Sequence, residues 1–182
     1  LMLFALLAAD RVILQQQPPS YADSDEIIKL NVDDDRAISA LHLVNPDADY
    51  TVLYSHGNAE DLGDLRYLLE EYRDMGFSVF AYDYSGYGTS EGTPSTENVC
   101  EDADAALAYL VEHEEIPLDR IIIHGRSVGG GPAIYLAEKN NVAGLIVESS
   151  FVSAFRVVTR IPLVPFDKFR NISRIDNVNC PV

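Results

Sequence analysis

Ser127 stands in the run Gly125, Arg126, Ser127, Val128, Gly129, which His124 joins to the apolar residues Ile121, Ile122 and Ile123. A helical pattern follows, so the serine sits where a buried strand turns into a helix. Gly-x-Ser-x-Gly in that context suits a nucleophile. Such a serine must take a strained backbone conformation for its hydroxyl to project above a sheet. Gly125 and Gly129 leave room for the turn, because a side chain at either would meet the neighbouring strand or helix. The helix that starts at Ser127 presents its positive end to the charge that develops during attack on a carbonyl. The competing reading is a structural turn with a capping serine.

An acyl-transfer site also needs two backbone N–H groups aimed at one oxygen. Val128, the residue after the serine, supplies one. The stretch Ser55, His56, Gly57, Asn58, Ala59 ends an apolar segment and supplies the other, from Asn58 or its neighbour Ala59. Gly57 lets the backbone turn inward. His56 reads as structural, its ring bonding the loop that carries the donor. A nucleophilic serine further needs a base, and the chain has four histidines. His42 falls in an opening hairpin. His113 lies among glutamates near a helix end, as a solvated residue. His124 precedes the serine on its strand, where alternation turns it into the packing. None follows Ser127, and no base is assigned. Glu148, which ends a later strand, is a candidate for the acid, and binding of the loop after that strand is its favoured reading.

The elements that must position these residues are legible from periodicity. Glu26, Ile27, Ile28 and the residues that follow form a strand. A second runs from Ala37, and Asp33, Asp34, Asp35 and Arg36 between them suit a tight turn. Further strands are expected at residues 50–57, 77–84, 120–125 and 144–149. Leu62, Leu65, Leu68, Leu69 and Tyr72 recur at helical spacing, and Gly76 closes that helix. A second helix starts at Ser95 or Thr96, and a third runs from Ser127 to about Asn140. Strands alternating with helices after a hairpin mean a mostly parallel sheet with helices on both faces. Sites in such sheets lie at the carboxyl ends of the strands. Three glycine-bearing loops, after Tyr54, Tyr82 and Ile123, converge there.

Composition narrows the partners. The 182 residues are 47% hydrophobic, enough for one domain with a sizeable core. There is no internal repeat. A formal charge of −16 repels phosphate backbones and excludes nucleic acid as a direct partner. That charge is a solvated surface, or else steers cationic substrates. Cys100 and Cys180 form no metal-ligand spacing and no disulfide framework, and read as free thiols. Residues 1–9 are all apolar, too short a run to span a bilayer. They are either the remnant of an anchor or signal, which would associate the protein with membranes, or a helix lying on the domain of an otherwise cytoplasmic protein. A polar, proline-containing linker follows, so residues 1–20 form an N-terminal segment and residues 21–182 the core.

Three stretches together, from His56 to Gly63, from Tyr82 to Ser95 and from Gly125 to Ala133, resemble the alpha/beta-hydrolase superfamily. The resemblance is to its small-cap branch, which contains the abhydrolase-domain protein depalmitoylases and related membrane-anchored or bacterial hydrolases. It implies Ser127 as nucleophile, the Asn58 and Val128 amides as oxyanion hole, and Asp83, Tyr84, Gly86, Tyr87 and Gly88 as the floor of the site. It implies no metal or organic cofactor, and a small or lipid-like acyl ester or thioester as substrate. In that family the triad acid follows the seventh strand and the histidine the eighth. The last residues, from Cys180 to Val182, resemble the start of the seventh. The expectation is a hydrolase core missing its last strands, inactive as a fragment and prone to aggregate or bind hydrophobic dye. The 26 residues from Ser150 to Ile175 replace a large lid and imply an open, tolerant acyl pocket.

Overall fold

The computed structural model describes Asp10, residues 13–152 and residues 169–182. The apolar run at 1–9 and most of the small-cap segment lie outside the described residues.

The chain begins its sheet with a hairpin. Strands β1 (Ile27–Asp33) and β2 (Arg36–Leu43) pair antiparallel, from Ile27 opposite Leu41 to Asp33 opposite Arg36. Arg36, expected in the turn, is the first residue of β2. Its guanidinium bonds Asp33 at 3.0 Å and Glu101 at 2.6 Å, and so ties the turn to a helix.

Four short strands then run parallel: β3 (Thr51–Ser55), β4 (Ser78–Tyr82), β5 (Ile121–Arg126) and β6 (Gly144–Glu148). The sheet order is β1-β2-β4-β3-β5-β6, with the β1-β2 and β2-β4 pairs antiparallel and the other three pairs parallel. Every residue of β3 and β4 is buried, as continuous apolar runs covered on both faces require. On one face Val52, Tyr54, Val79 and Ala81 pack on Leu62, Leu65 and Leu69 of helix α1 (Leu62–Asp74). On the other, Leu53, Phe80, Ile121 and Ile123 pack with Val99, Ala103 and Ala106 of α2 (Thr96–Ala108) and Ala133 and Leu136 of α3 (Gly130–Lys139).

The helix ends follow from capping. Asp61 accepts from the Gly63 and Asp64 amides at the start of α1. Gly76, at φ 102°, lets the chain leave it. Ser95, not Thr96, caps α2 by accepting from the Asn98 amide at 3.0 Å. A wider π turn, Tyr109–His113, carries α2 onward. A short helix α4 (Asn171–Arg174) lies near the end of the chain. At the edge of β6, Leu145 N donates to Pro181 O at 2.9 Å, and Ile146 is exposed. Among the described residues no helix is long and apolar enough to cross a membrane.

Candidate active site

At the end of β5 the backbone turns sharply. Ser127 adopts φ 54°, a left-handed conformation that costs a non-glycine residue about 1–3 kcal/mol. A single 3-10 turn, Ser127–Gly129, leads into α3. What enforces the turn is close backbone approach. A Cβ on Gly129 would overlap Ser55 O and lie 2.6 Å from His56 O. One on Gly125 would overlap Gly129 O and lie 2.5 Å from Ala133 Cβ. The start of α3 is thus pressed onto the ends of β3 and β5, and the serine has no other path. Ser150, in the loop after β6, donates its hydroxyl to Ser127 O at 2.8 Å.

The loop after β3 faces this turn. A Cβ on Gly57 would lie 3.6 Å from Ser127 Cβ. His56 is buried, with Nδ1 2.7 Å from Gly57 O. Its ring lies 4.2 Å from that of Tyr84, whose hydroxyl donates to His56 O at 2.7 Å. His56 Nε2 stands 3.3 Å from Asp83 Oδ1, near enough for charge interaction but outside hydrogen-bond geometry. Gly57 N donates to Glu60 Oε2 at 2.9 Å. Asn58 Oδ1 accepts from Gln15 N at 3.0 Å and from Tyr87 Oη at 2.9 Å, and its Nδ2 donates to Ile13 O. Ala59, at φ 57°, donates its N–H to Gln15 O at 3.0 Å. Of the two candidate donors, Ala59 is therefore engaged by the N-terminal segment. Val128 is buried at the first turn of the opposite loop.

The third loop follows β4. Asp83 is buried, and its Oδ1 accepts from Leu62 N at 3.0 Å while Oδ2 accepts from Tyr21 Oη at 2.6 Å. Burial, then the Asp83 charge, hold the Tyr21 phenol well above its ordinary pKa, so it donates at neutral pH. Gly88, at φ 50°, leaves no room for a side chain, since a Cβ would overlap Asp83 Oδ2 and lie 2.8 Å from Tyr21 Oη. Gly86, at φ 80°, packs under Gln16 and Pro94. Asp83, Tyr84, Gly86 and Gly88 thus brace the Gly57 loop and the N-terminal segment from below.

The other histidines are committed elsewhere. His124 is 4% exposed and its Nδ1 lies 2.8 Å from Tyr72 Oη. Burial holds its ring below the ordinary pKa, against the opposing pull of Glu148. His42 is packed edge-on to Phe80, and His113 is largely exposed beside Glu114. Glu148 corrects an expectation. It faces back toward β5 and not toward the loop after β6, with its carboxylate 3.6 Å from Arg126 Nε and 3.4 Å from His124 Nε2. The parallel register puts Glu148 directly beside Arg126, with His124 two residues earlier on the same face. Cys100 and Cys180 are both free. Among the described residues no group of three His, Cys, Asp or Glu side chains could hold a metal ion.

Sequence reasoning did not find Glu60, Ser150 or residues 13–16 at this site. Ser150 and residues 13–16 act across 20 or more residues of chain, and Glu60 joins its near neighbour Gly57 to Arg126, 66 residues away.

A mixed sheet of this order, with a serine at a left-handed turn after β5 and a glycine loop after β3 against it, is the architecture of alpha/beta hydrolases. Solved structures share that fold. An alpha-beta hydrolase from Vibrio vulnificus superposes with a TM-score of 0.71 at 22% identity, covering 85% of this chain and 60% of that one. The Pyrococcus furiosus esterase Pf2001 gives 0.67 at 20% identity, covering 91% and 68%. The family model described as serine aminopeptidase, S33 matches residues 46–170, more than half of the chain, and the chain belongs to this alpha/beta-hydrolase family. Among curated proteins it is 37% identical to the alpha/beta hydrolase domain-containing protein aho-3 of Caenorhabditis elegans, over 75% of this chain and 42% of that protein. It is likewise 37% identical to human alpha/beta hydrolase domain-containing protein 17B, over 76% and 49%. The chain spans less than half the length of these two relatives.

Proposed function

We propose that the protein is a serine hydrolase that cleaves carboxylic esters or thioesters through an acyl-enzyme on Ser127. The observation that carries this reading is Ser127 at φ 54°, held between two glycines with no room for a side chain and facing Gly57. Its Oγ attacks the acyl carbonyl while a histidine takes the hydroxyl proton. The carbonyl oxygen becomes an oxyanion, bonded by the Asn58 and Val128 amides. Collapse expels the alcohol or thiol, which leaves with that proton. Water then attacks the acyl-enzyme by the same route and frees the acid. All four histidines of this chain have other surroundings, so the reading requires a base and an acid that none of them supplies. The substrates we assign are small or lipid-like acyl groups, and the apolar run at residues 1–9 supports presentation of such groups at a membrane surface.

A second reading is peptidase chemistry on N-terminal residues, favoured by the description of the matching family model. A third is a hydrolase-like scaffold that binds without turnover. The test is a fluorophosphonate probe and three substrates, a p-nitrophenyl ester, an acyl thioester and an aminoacyl amide, applied to the natural protein. The ester or thioester is expected to turn over and the probe to label, both lost in Ser127→Ala. Turnover of the amide alone selects the peptidase. No labelling and no turnover selects the scaffold.

A further inference from the structure

Two loops carry the proposed oxyanion donors, and one ion pair joins them. Glu60 Oε2 accepts the Gly57 N–H at 2.9 Å, one residue before Asn58. Its other oxygen, Oε1, is ion-paired with Arg126 Nη1, one residue before Ser127 and two before Val128. Arg126 is steadied from its far side by Glu148, 3.6 Å from Nε. The Glu60 charge, chief among the causes, holds the Arg126 pKa above its ordinary value. Glu60 is about a quarter exposed and Arg126 two-fifths, so neither is core and neither is needed to fill volume.

We infer that Glu60 and Arg126 are positioning residues that set the distance between the Asn58 and Val128 amides; this rests on the hydrolase reading above. The reason is geometric. Each donor must lie within about 3 Å of the developing oxyanion, and a misplacement of about 1 Å can cost roughly 100-fold in rate. The elbow that carries Val128 is held by backbone contacts. The Gly57 loop has no comparable steric lock, because a Cβ there is crowded only by the end of the Glu60 side chain, at 2.9 Å, with Ser127 Cβ at ordinary contact distance. Glu60 therefore transfers the elbow's rigidity to the opposite loop. Its carboxylate uses one oxygen for each loop, so a single side chain spans both.

The test uses the natural protein with a p-nitrophenyl ester, a fluorophosphonate and amide hydrogen exchange. Glu60→Ala is expected to lower kcat by about 10- to 100-fold with KM changed less than about threefold, to slow phosphonylation of Ser127 in step, and to speed exchange at Gly57. Glu60→Gln keeps an acceptor for Gly57 and should fall between wild type and Glu60→Ala. Arg126→Met combined with Glu60→Gln should be no worse than the poorer single variant, since each breaks the same bridge. Exchange at Gly57 unchanged in Glu60→Ala, kcat within threefold of wild type, an effect confined to KM, or additive losses in the double variant would each overturn the clamp while leaving the hydrolase intact. A wild type that neither turns over the ester nor reacts with fluorophosphonate would overturn the hydrolase reading, and the catalytic role of the pair with it.

Discussion

The two loops that face each other across the site are held by opposite means. The turn at Ser127 is fixed chiefly by sterics: the Ser55 and His56 carbonyls occupy the space of a side chain on Gly129, and the Gly129 carbonyl and Ala133 Cβ that of one on Gly125. The Gly57 loop is fixed by polar side chains drawn from distant parts of the chain, Glu60 with Arg126, Asn58 with Tyr87, and the backbone of Ile13 and Gln15. A steric lock has no tolerance and responds to nothing in solution. A polar one is adjustable, and it depends on charge. The nucleophile thus sits on the rigid side and the proposed oxyanion donor on the adjustable one.

Alanine at each glycine would break or sharpen that contrast most strongly. Gly129→Ala drives a methyl into Ser55 O and His56 O, both backbone, and should cost about 3 kcal/mol or more, seen as a lower urea midpoint or loss of soluble protein. Gly57→Ala crowds the Glu60 carboxylate end but no backbone atom and should cost about 1 kcal/mol or less. Equal costs would sink the distinction.

The loop after β4 gives a charge-dependent case. Asp102 accepts from Ser85 N at 2.7 Å and Ser85 Oγ at 2.8 Å, with Arg36 at 3.3 Å. Burial outweighs these bonds and pushes its carboxyl up from 3.8 to about 6. The folded-state pKa lies above the unfolded one, so this group's contribution to stability is fully present below about pH 4. It is lost as pH rises through about 6, a swing on the order of 3 kcal/mol at most. Asp102→Asn should remove that component. The stability of wild type relative to the variant should then fall from pH 4 to pH 7 in chemical denaturation. A difference flat with pH would show that burial does not dominate there.

A smaller effect is expected at Asn58. Asn58→Ala removes bonds to Tyr87, Gln15 and Ile13 and should cost about 1–2 kcal/mol. It should also open residues 13–16 to limited proteolysis while the melting transition stays cooperative. Unchanged protection of that segment would mean that other contacts hold it.

Much of this was legible in the chain. Gly125, Ser127 and Gly129 announce their turn because the constraint is local, three residues within five. The unbroken apolar run of Val52, Leu53 and Tyr54 announces a strand buried on both faces. The bridge through Glu60 gave no such signal, since one of its two partners, Arg126, lies 66 residues away. Glu148 was placed on the right strand but turned toward the wrong neighbour, because register decides which residue stands beside it. The polar stretch Gln15, Gln16, Gln17, Pro18, Pro19 reads by composition as a linker. In the fold Ser20 N donates to Asp61 at 2.7 Å and Tyr21 reaches Asp83.

By itself, then, the order of residues determined the strands, the helices and the strained serine, since hydrophobic periodicity and glycine sterics act between near neighbours. Tertiary structure alone decided what holds the loop opposite that serine. Polar contacts between Ile13, Gln15, Asn58, Glu60, Tyr87 and Arg126 have no period, and they exist only once the sheet has brought the ends of its strands to one edge.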